Sequence, residues 1–259
     1  RTSIGDRKDP EQKLQKARHT PMDQPVYKRI LLKLSGEALA PANREDGILD
    51  FPFIDKVAAV LKKCREAGVE IGVIVGAGNI WRGKQGAAQM DLCRADHMGM
   101  LATVINALGV AEVLEQMNVD VRVQTSLQMQ QIAELYIKNK AVRHLEKGRV
   151  VIFGCGTGSP FFSTDTAASL RAAEIGADVI LKATMVDGVY DKDPKKYDNA
   201  IKYDTLSYFD VLNKNLGVMD STAASMCKEN NIPLLVFSIE NPQNIYDAIM
   251  GKSIGTTVK

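Results

Sequence analysis

The sequence lacks any apolar run that is long enough to cross a membrane. Its longest runs, such as residues 71–75 and 150–153, have the length of a strand, whereas a spanning helix needs about 20 apolar residues. The N-terminal segment also lacks the apolar stretch of a signal peptide. We therefore expect a cytoplasmic protein with no membrane partner.

Cysteine and histidine are scarce and scattered. No two cysteines form a CxxC pair, and no histidine stands at a spacing suited to zinc. Of the histidines, only His97 is considered for a functional role, because it follows Asp96. We predict buried free thiols in a reducing cytosol at the four cysteines, Cys64, Cys93, Cys155 and Cys227.

Most of the chain also lacks a surplus of charge of one sign. The formal net charge is +2, and the first 21 residues account for its sign, with six basic residues against three acidic ones. The remainder has no cluster of basic residues, so we expect no nucleic-acid partner. Residues 1–26 contain few large apolar side chains, which predicts a disordered tail or an appended tag before a single domain at residues 27–259.

From residue 27 onwards, short apolar runs alternate with helical patterns. The runs predict strands at residues 29–34, 70–75, 119–125, 149–153, 179–183 and 233–237. This alternation predicts an α/β fold, a three-layer αβα sandwich with a mainly parallel central sheet. Residues 187–202, rich in Asp, Lys and Gly, predict a long irregular surface connection.

A glycine-rich stretch follows the predicted strand at residues 149–153. It reads Gly154-Cys155-Gly156-Thr157-Gly158-Ser159-Pro160-Phe161-Phe162-Ser163-Thr164-Asp165 and leads into a helical pattern at residues 164–177. Glycines let the backbone approach an anion, and the free amides of a helix N-terminus favour negative charge. Ser, Thr and Asp are natural N-cap residues. The stretch predicts a phosphate site, although an ordinary capped strand-to-helix turn has the same pattern.

Two more glycine-bearing loops follow the first two predicted strands. They contain Lys33-Leu34-Ser35-Gly36-Glu37 and Gly76-Ala77-Gly78-Asn79-Ile80-Trp81-Arg82-Gly83. In an open parallel sheet such loops meet at the carboxyl ends of the strands, where ligands bind. Lys33 and Arg82 bring cations to that edge, so we predict a charge clamp on a polyphosphate.

Two common nucleotide-binding motifs are absent. The loop at residues 76–83 is not GxGxxG, because Trp81 occupies the position of the third glycine, and no suitably placed acidic residue closes the second strand. A dinucleotide fold is therefore disfavoured. The chain also has no GxxxxGK[ST] segment, so the phosphate-binding lysine is not that of a Walker-type loop and comes instead from the first strand.

These features together resemble the amino acid kinase superfamily and, within it, the bacterial uridylate (UMP) kinases. The resemblance runs from about Tyr27 to the C-terminus. Besides the three loops, two blocks carry it, Asp96-His97-Met98-Gly99-Met100-Leu101-Ala102-Thr103 and Leu181-Lys182-Ala183-Thr184-Met185-Val186-Asp187-Gly188-Val189-Tyr190. The first of these blocks, with the glycine-rich stretch, is typical of the uridylate branch.

The resemblance implies transfer of the γ-phosphoryl group of ATP to UMP, giving ADP and UDP in pyrimidine nucleotide biosynthesis. It implies Mg²⁺ that is bound with ATP, with no protein residue assigned as a direct metal ligand. The UMP-binding part would span about residues 27–177 and the ATP-binding part about residues 178–259. Catalysis would rest on positioning and charge neutralisation, without a covalent enzyme intermediate.

The resemblance also assigns roles to individual residues. The catalytic group is Lys33, Arg82, Asp165 and Lys182. The ATP-binding group is Lys33, Ser35, Gly36, Gly78, Arg82, Thr184, Tyr190 and Asp193. The UMP-binding group is Ala77, Asp96, Thr157, Gly158, Ser159, Pro160, Phe161, Phe162, Ser163 and Thr164, with Asp96 on the ribose. Asp165 would organise Lys33 and the charges at the transferring phosphoryl group, and would be compatible with an N-cap role.

Two positions depart from the family pattern, and Trp81 has a packing role instead of a binding one as its expectation. Ala77 stands where the family usually has a middle glycine, and Ser159 stands where asparagine is common. The methyl group of Ala77 is tolerated only if φ is negative there. Trp81 is expected to pack rather than to stack on uracil, because it adjoins Arg82 on a loop.

The stretch after Asp96 carries an apolar stripe at helical spacing. A stripe of this kind is more often core than interface. The resemblance favours an interface, since these kinases are typically homohexamers built as trimers of dimers, activated by GTP and inhibited by UTP. The members of the stripe are Met98, Leu101, Ile105, Leu108 and Val113.

Three other functions stay open on the sequence alone. One is a kinase of the same superfamily that acts on a carboxylate or a carbamate. The second is a storage protein that binds oxoanions, as the molybdenum and tungsten storage protein does; the presence of both Lys33 and Asp165 argues against it. The third is a nucleotide-binding regulator without turnover.

Overall fold

The computed structural model describes residues 24–81, 90–214 and 216–259. Most of the segment predicted as a tail lies outside these ranges, and so does the predicted site residue Arg82.

A large sheet runs through the described part of the chain. In chain order the strands are β1 (Arg29–Leu34), β2 (Glu70–Val75), β3 (Val121–Thr125), β4 (Glu134–Leu135), β5 (Val150–Gly154), β6 (Val179–Thr184), β7 (Val189–Tyr190), β8 (Lys202–Tyr203), β9 (Thr205–Leu206), β10 (Leu234–Ser238) and β11 (Thr256–Val258). Nine of the described strands form the sheet, in the order β4-β3-β5-β2-β1-β6-β10-β11-β9, and β7 pairs with β8 separately. Every pairing in the large sheet is parallel except that of β10 with β11.

Helices cover both faces of this sheet. They are α1 (Phe51–Glu66), α2 (Leu92–Gln116), α3 (Lys138–Glu146), α4 (Thr164–Ile175), α5 (Tyr208–Asn213), α6 (Ser221–Glu229) and α7 (Gln243–Ile249). Apolar residues of α1, α2 and α7 share one buried cluster, and those of α3, α4, α5 and α6 share the other. The predicted three-layer α/β fold with a mainly parallel sheet is confirmed.

Strand β1 shows why the central strands have continuous apolar sequences. Ile30, Leu32 and Leu34 belong to the cluster of α1, α2 and α7, whereas Leu31 belongs to the opposite cluster. Successive side chains of a strand point to opposite faces of the sheet. Because helices cover both faces, the residues on each face are apolar and the strand reads as a continuous apolar run. The one polar residue of the strand after Arg29 is Lys33, which lies on the same face as Leu31.

The six predicted strands are all present, and two of them have the predicted bounds, β1 and β2. The other four differ at their ends by one or two residues. Four two-residue strands and the three-residue strand β11 were not predicted, because segments this short are too short to show the alternating pattern of a strand. Part of the predicted irregular region at residues 187–202 pairs as β7 and β8, which form an antiparallel two-stranded ribbon.

Helix α2 is apolar along most of its 25 residues. It is the one described helix that is long and apolar enough to cross a membrane, but 56% of that apolar stretch is buried inside the fold. Its buried side packs on α1, β3 and β5. It is therefore a core helix of the sandwich, which a search for uninterrupted apolar runs does not detect.

The predicted apolar stripe on α2 divides into two parts. Val113 is buried in the core. The other four residues are between 38% and 48% exposed, so they form an apolar surface instead of core; they are Met98, Leu101, Ile105 and Leu108.

Candidate active site

Four neighbouring strands bring the predicted loops to one edge of the sheet. In the order β5-β2-β1-β6, each strand ends at the same edge because all four run parallel. The loops after β1 and β2 touch closely. A Cβ atom on Gly36 would lie 2.7 Å from the carbonyl oxygen of Gly76 and 2.7 Å from the amide nitrogen of Gly78. Glycine at residue 36 is therefore required by contact between the two loops.

A pair of buried asparagines holds the loop after β2 against α2. The Nδ2 group of Asn79 donates to Oδ1 of Asn106 (2.9 Å), and Nδ2 of Asn106 donates to Oδ1 of Asn79 (2.7 Å). Asn106 also donates to the carbonyl oxygen of Gly76, and Asn79 donates to that of Ile48. We did not predict this pair, because 27 residues separate its members and neither has a distinctive sequence context.

The loop after β5 has an unusual backbone. Cys155, Gly156, Gly158 and Phe161 all have φ between 55° and 83°. A Cβ atom on Gly158 would lie 2.9 Å from Cβ of Ser126, so this glycine is required both by its φ and by the space around it. The positive φ at Cys155 and Phe161 is uncommon for non-glycine residues, which indicates that the surroundings hold the loop in place.

Two side chains hold this loop from opposite sides. The hydroxyl group of Ser126 donates to the carbonyl oxygen of Gly156 (2.8 Å) and accepts from Nη2 of the buried Arg171 (2.8 Å). On the other side, Oδ2 of Asp96 accepts from the backbone amide of Phe161 (2.7 Å). Asp96 therefore connects α2 to the loop.

A cavity of about 450 Å³, here called the first cavity, lies between these loops and α2. Of the residues predicted to bind UMP, six line it: Ala77, Asp96, Thr157, Phe162, Ser163 and Thr164. The other four, Gly158, Ser159, Pro160 and Phe161, belong to the same loop but are not among the lining residues. Gly78, predicted for the ATP site, lines this cavity. Cys155 and Gly156, from the predicted phosphate-binding stretch, line it as well. Lining residues to which we had assigned no role are Glu37, Ala95, Gly99, Met100 and Thr103.

The two residues singled out for their side chains fit this cavity without strain. Ala77 is absent from the described non-glycine residues with positive φ, so its methyl group is tolerated. Trp81 donates from its ring nitrogen to the carbonyl oxygen of Ala95 (2.8 Å) and contributes to the cavity wall. The indole is thus held against α2.

Two lysines and one aspartate form a charge cluster beside the first cavity. Lys33 on β1 and Lys182 on β6 are direct neighbours in the strand register. Asp165 of α4 reaches both of them, with Oδ1 3.0 Å from Nζ of Lys33 and Oδ2 2.7 Å from Nζ of Lys182. The three side chains are between 12% and 17% exposed, so their charges are only weakly screened by solvent. The structure brings together three of the four predicted catalytic residues.

The cluster determines the charge state of its members. Burial by itself would raise the pKa of Asp165, but Lys182 and Lys33 outweigh it and hold that pKa below its ordinary value. Burial lowers the pKa of Lys182, and Asp165 counteracts that shift. Asp165 is therefore ionised at neutral pH, and its lowered pKa makes it a weak base.

The N-terminus of α4 is capped by Ser163 and not by Asp165. The Ser163 hydroxyl oxygen accepts from the amides of Asp165 (3.0 Å) and Thr166 (3.1 Å). Asp165 lies in the first turn, and its carboxylate is directed to the lysines. Its suggested N-cap role is therefore wrong, because α4 begins at Thr164 and Asp165 lies inside the helix. The first turn lies next to the first cavity, where its partial positive charge favours an anion.

A second cavity of about 540 Å³ lies on the other side of the charge cluster. Lys182 lines it together with three residues predicted for the ATP site, Thr184, Tyr190 and Asp193. The segment Leu216–Val218 also lines this cavity. We did not predict it, because it follows no strand and has no recognisable motif. Further lining residues that we did not predict are Val186, Gly188, Val189, Asp191, Lys192, Pro194, Lys214 and Val236.

Lys33, Ser35 and Gly36 line neither cavity. Lys33 lies in the charge cluster, and Gly36 supports the contact between two loops. The Ser35 hydroxyl accepts from the amide of Glu37 (3.3 Å) and thereby caps a short 3₁₀ helix, Gly36–Leu39. Arg82 lies outside the described residues.

The residues of the site fit a Mg²⁺ ion that arrives with a polyphosphate. Such ions are usually held by one or two carboxylates together with the phosphate oxygens. Oδ1 of Asp165 faces Lys33 but accepts no hydrogen bond of good geometry, so it retains capacity for a further partner. Within the described ranges, no group of three or more His, Cys, Asp or Glu side chains could hold a metal ion. The phosphates would therefore supply most of the ligands.

Comparison with known proteins identifies the family of this chain. The sequence profile of the amino acid kinase family matches residues 28–238. The UMP kinase from Bacillus anthracis is 38% identical, with a TM-score of 0.86 over 90% of this chain and 96% of that one. The UMP kinase from Ureaplasma parvum is also 38% identical, with a TM-score of 0.84 over 90% and 98%. The uridylate kinase from Archaeoglobus fulgidus is 28% identical, with a TM-score of 0.70 over 89% and 99%.

The family match covers most of the described domain, and the two structures at 38% identity are matched over nearly their whole length. The chain therefore belongs to the amino acid kinase family and, within it, to the UMP kinases.

Replacing Asp165 with Asn should lower the free energy of unfolding at pH 7 by about 3 kcal/mol, because two buried ammonium groups lose their counter-ion. The contribution of Asp165 is fully present above the unfolded-state pKa of about 3.9 and is lost as the pH falls through its lower folded-state pKa. Urea unfolding from pH 7 down to about pH 3 should therefore show a shrinking difference from the native protein.

The exposed residue Asp198 provides the control. Asp198→Asn should change the free energy of unfolding by less than about 0.5 kcal/mol at any of these pH values. A pH-independent loss in Asp165→Asn would show that the cluster is not held by the charge of Asp165.

Proposed function

We propose that the protein transfers the γ-phosphoryl group of ATP to UMP, giving ADP and UDP. The observation that carries this proposal is the position of the charge cluster between two cavities. Lys182 lines the second cavity, while Ser163 and Thr164, which adjoin Asp165 in sequence, line the first. A phosphoryl group that passes between ligands in the two cavities would pass this cluster.

We assign UMP to the first cavity and ATP to the second. The glycine loop after β5 lets the backbone approach the UMP phosphate, and the partial positive charge at the N-terminus of α4 favours that anion. Asp96 accepts one backbone hydrogen bond from Phe161, and its carboxylate has further acceptor capacity for ribose hydroxyl groups. The names of the similar solved structures, UMP kinase and uridylate kinase, support UMP as one substrate.

The mechanism needs no general base. The attacking group is a phosphate whose second pKa is about 6, so its oxygens are already deprotonated at neutral pH. The transition state spreads negative charge over the transferring oxygens, and Lys33 and Lys182 stabilise that charge in a poorly screened site. Asp165 keeps both ammonium groups in position. Mg²⁺ bound with ATP would neutralise further phosphate charge.

The native protein should use UMP in preference to CMP, dCMP and AMP by at least about 100-fold in kcat/KM, because a polar group built for one nucleotide is left unpaired by another. The measurement is ADP release with each monophosphate at a fixed concentration of Mg²⁺ and ATP. Equal values for UMP and CMP would refute the uridylate assignment. Activity only with a carboxylate or carbamate, or binding without turnover, would identify one of the other functions considered above.

Lys33→Ala should reduce kcat by about 100- to 1,000-fold, since it removes one preorganised charge from the transition state, and should change UMP binding less. Lys28→Ala is the matched control, because Lys28 is exposed and immediately precedes the same strand. It should leave kcat within about twofold of the native value. If Lys33→Ala turns over within tenfold of the native protein, Lys33 does not hold the phosphoryl group.

We further propose that the protein is a homohexamer, built as a trimer of dimers, with GTP as activator and UTP as inhibitor. The exposed stripe Met98, Leu101, Ile105 and Leu108 supports an interface between copies of the chain, because four apolar side chains in one row on a core helix are unusual on a monomer surface.

Ile105→Glu should therefore shift the protein to a smaller assembly, because it places a charge in the interface. The measurement is light scattering after size-exclusion chromatography, read against the 28.3 kDa chain. Ile201→Glu makes the same change at another exposed isoleucine and should leave the assembly unchanged. A native protein that elutes as a monomer contradicts the interface.

A further inference from the structure

Asp220 lines neither cavity, but it contacts the first turn of α4, which carries Asp165 of the charge cluster. It is the N-cap residue of α6, where its Oδ1 accepts from the amide of Ala223 (2.9 Å). Its carboxylate also accepts from the hydroxyl groups of Ser163 and Thr166 on α4, the latter at 3.0 Å. Asp220 thus joins the first turns of two helices.

The contact with Asp220 determines where the Ser163 hydroxyl group donates its hydrogen. Its oxygen already accepts from two amides in the first turn of α4, and its single hydrogen is donated to Asp220. The Ser163 hydroxyl is therefore committed to the helix and to Asp220, and it has no hydrogen left to donate to a nucleotide.

Asp220 also lies two residues after the segment Leu216–Val218, which lines the second cavity, with Met219 between them. Val218 in this segment accepts, through its carbonyl oxygen, a hydrogen bond from Nζ of Lys182. Lys182 is paired with Asp165, and Asp165 lies in the turn that Ser163 caps. The contacts form a closed ring that runs through Asp220, Ser163, Asp165, Lys182 and Val218.

We propose that Asp220 is a positioning residue that aligns the phosphate-binding end of α4 with the Leu216–Val218 segment, and so aligns the substrates of the two cavities; this rests on the proposed function. A carboxylate suits the role, because three donors converge on its two oxygens. Asparagine offers one acceptor oxygen and presents an NH₂ group to the remaining donors. Alignment matters because a displacement of about 1 Å costs roughly 100-fold in rate.

The test compares Asp220→Asn, Thr166→Val, Thr166→Ser and the double variant Asp220→Asn with Thr166→Val. Thr166 is buried and lines neither cavity, so valine removes its hydrogen bond with little change of shape, whereas serine keeps the hydroxyl group. Steady-state assays with UMP and ATP give kcat and both KM values. Circular dichroism at the assay temperature gives the folded fraction by which kcat is corrected.

Asp220→Asn should lower kcat by about 10- to 100-fold, and Thr166→Val by about 5- to 10-fold, with Thr166→Ser within about twofold of native. Both KM values should change less than kcat, because each cavity stays intact and only their alignment is lost. The double variant should lose little more than Asp220→Asn alone, since both substitutions break the same contact.

Three results would overturn the proposal. One is a kcat for Asp220→Asn within twofold of native after correction for the folded fraction. Another is a rise in the KM of a single substrate with kcat unchanged, which would mean that Asp220 only shapes one cavity. The third is an equal kcat for Thr166→Val and Thr166→Ser.

A second readout separates this proposal from the proposed function. If the native protein does not phosphorylate UMP, the proposed function fails, and hydrogen exchange at the amides of Asp165 and Thr166 then tests the positioning contact without turnover. Exchange there should be faster in Asp220→Asn and Thr166→Val but not in Thr166→Ser. Unchanged exchange in Asp220→Asn would show that Asp220 does not hold the end of α4.

Discussion

The parallel pairing of β1 with β6 places two lysines side by side, and their positive charges repel each other. The site depends on how that repulsion is offset. Lys33 and Lys182 are register neighbours, so the sheet itself brings the two ammonium groups together. Asp165 compensates them from α4 and keeps a carboxylate ionised in a nearly buried place. The resulting cluster has a net positive charge, which is what a transferring phosphoryl group requires.

The remainder of the site supports that cluster from both sides. On one side, the loops after β1, β2 and β5 are held by Asn106, Ser126 and Asp96 and enclose the first cavity. On the other, the chain after β6 and the Leu216–Val218 segment enclose the second. Asp220 contacts α4 on the first side and follows the Leu216–Val218 segment by two residues on the second. The substrates that we propose would thus approach from opposite directions a charge arrangement that is already built.

Much of the fold could be predicted from the sequence, because the central strands are buried on both faces and their apolar runs have a clear length and composition. This is why β1 and β2 had the predicted bounds. Two-residue strands such as β7 and β8 could not be predicted, since their pairing depends on neighbours that are distant in sequence. Helix α2 has apolar residues both on its buried side and on its exposed side. Periodicity alone cannot show which apolar residues are buried and which are exposed.

For the site, the sequence by itself determined the residue types: glycines after successive strands, Lys33, Asp165 and Lys182, and polar side chains at the start of α4. Those types suffice to indicate phosphate chemistry, because each local motif has a local physical cause. Only the tertiary structure decided that Ser163 and not Asp165 caps α4, that Asn79 pairs with Asn106, and that Asp220 joins the first turns of α4 and α6. The physical reason is that a side-chain hydrogen bond depends on distance and direction in space, and residues 27 or 54 positions apart leave no mark of such a contact in the sequence.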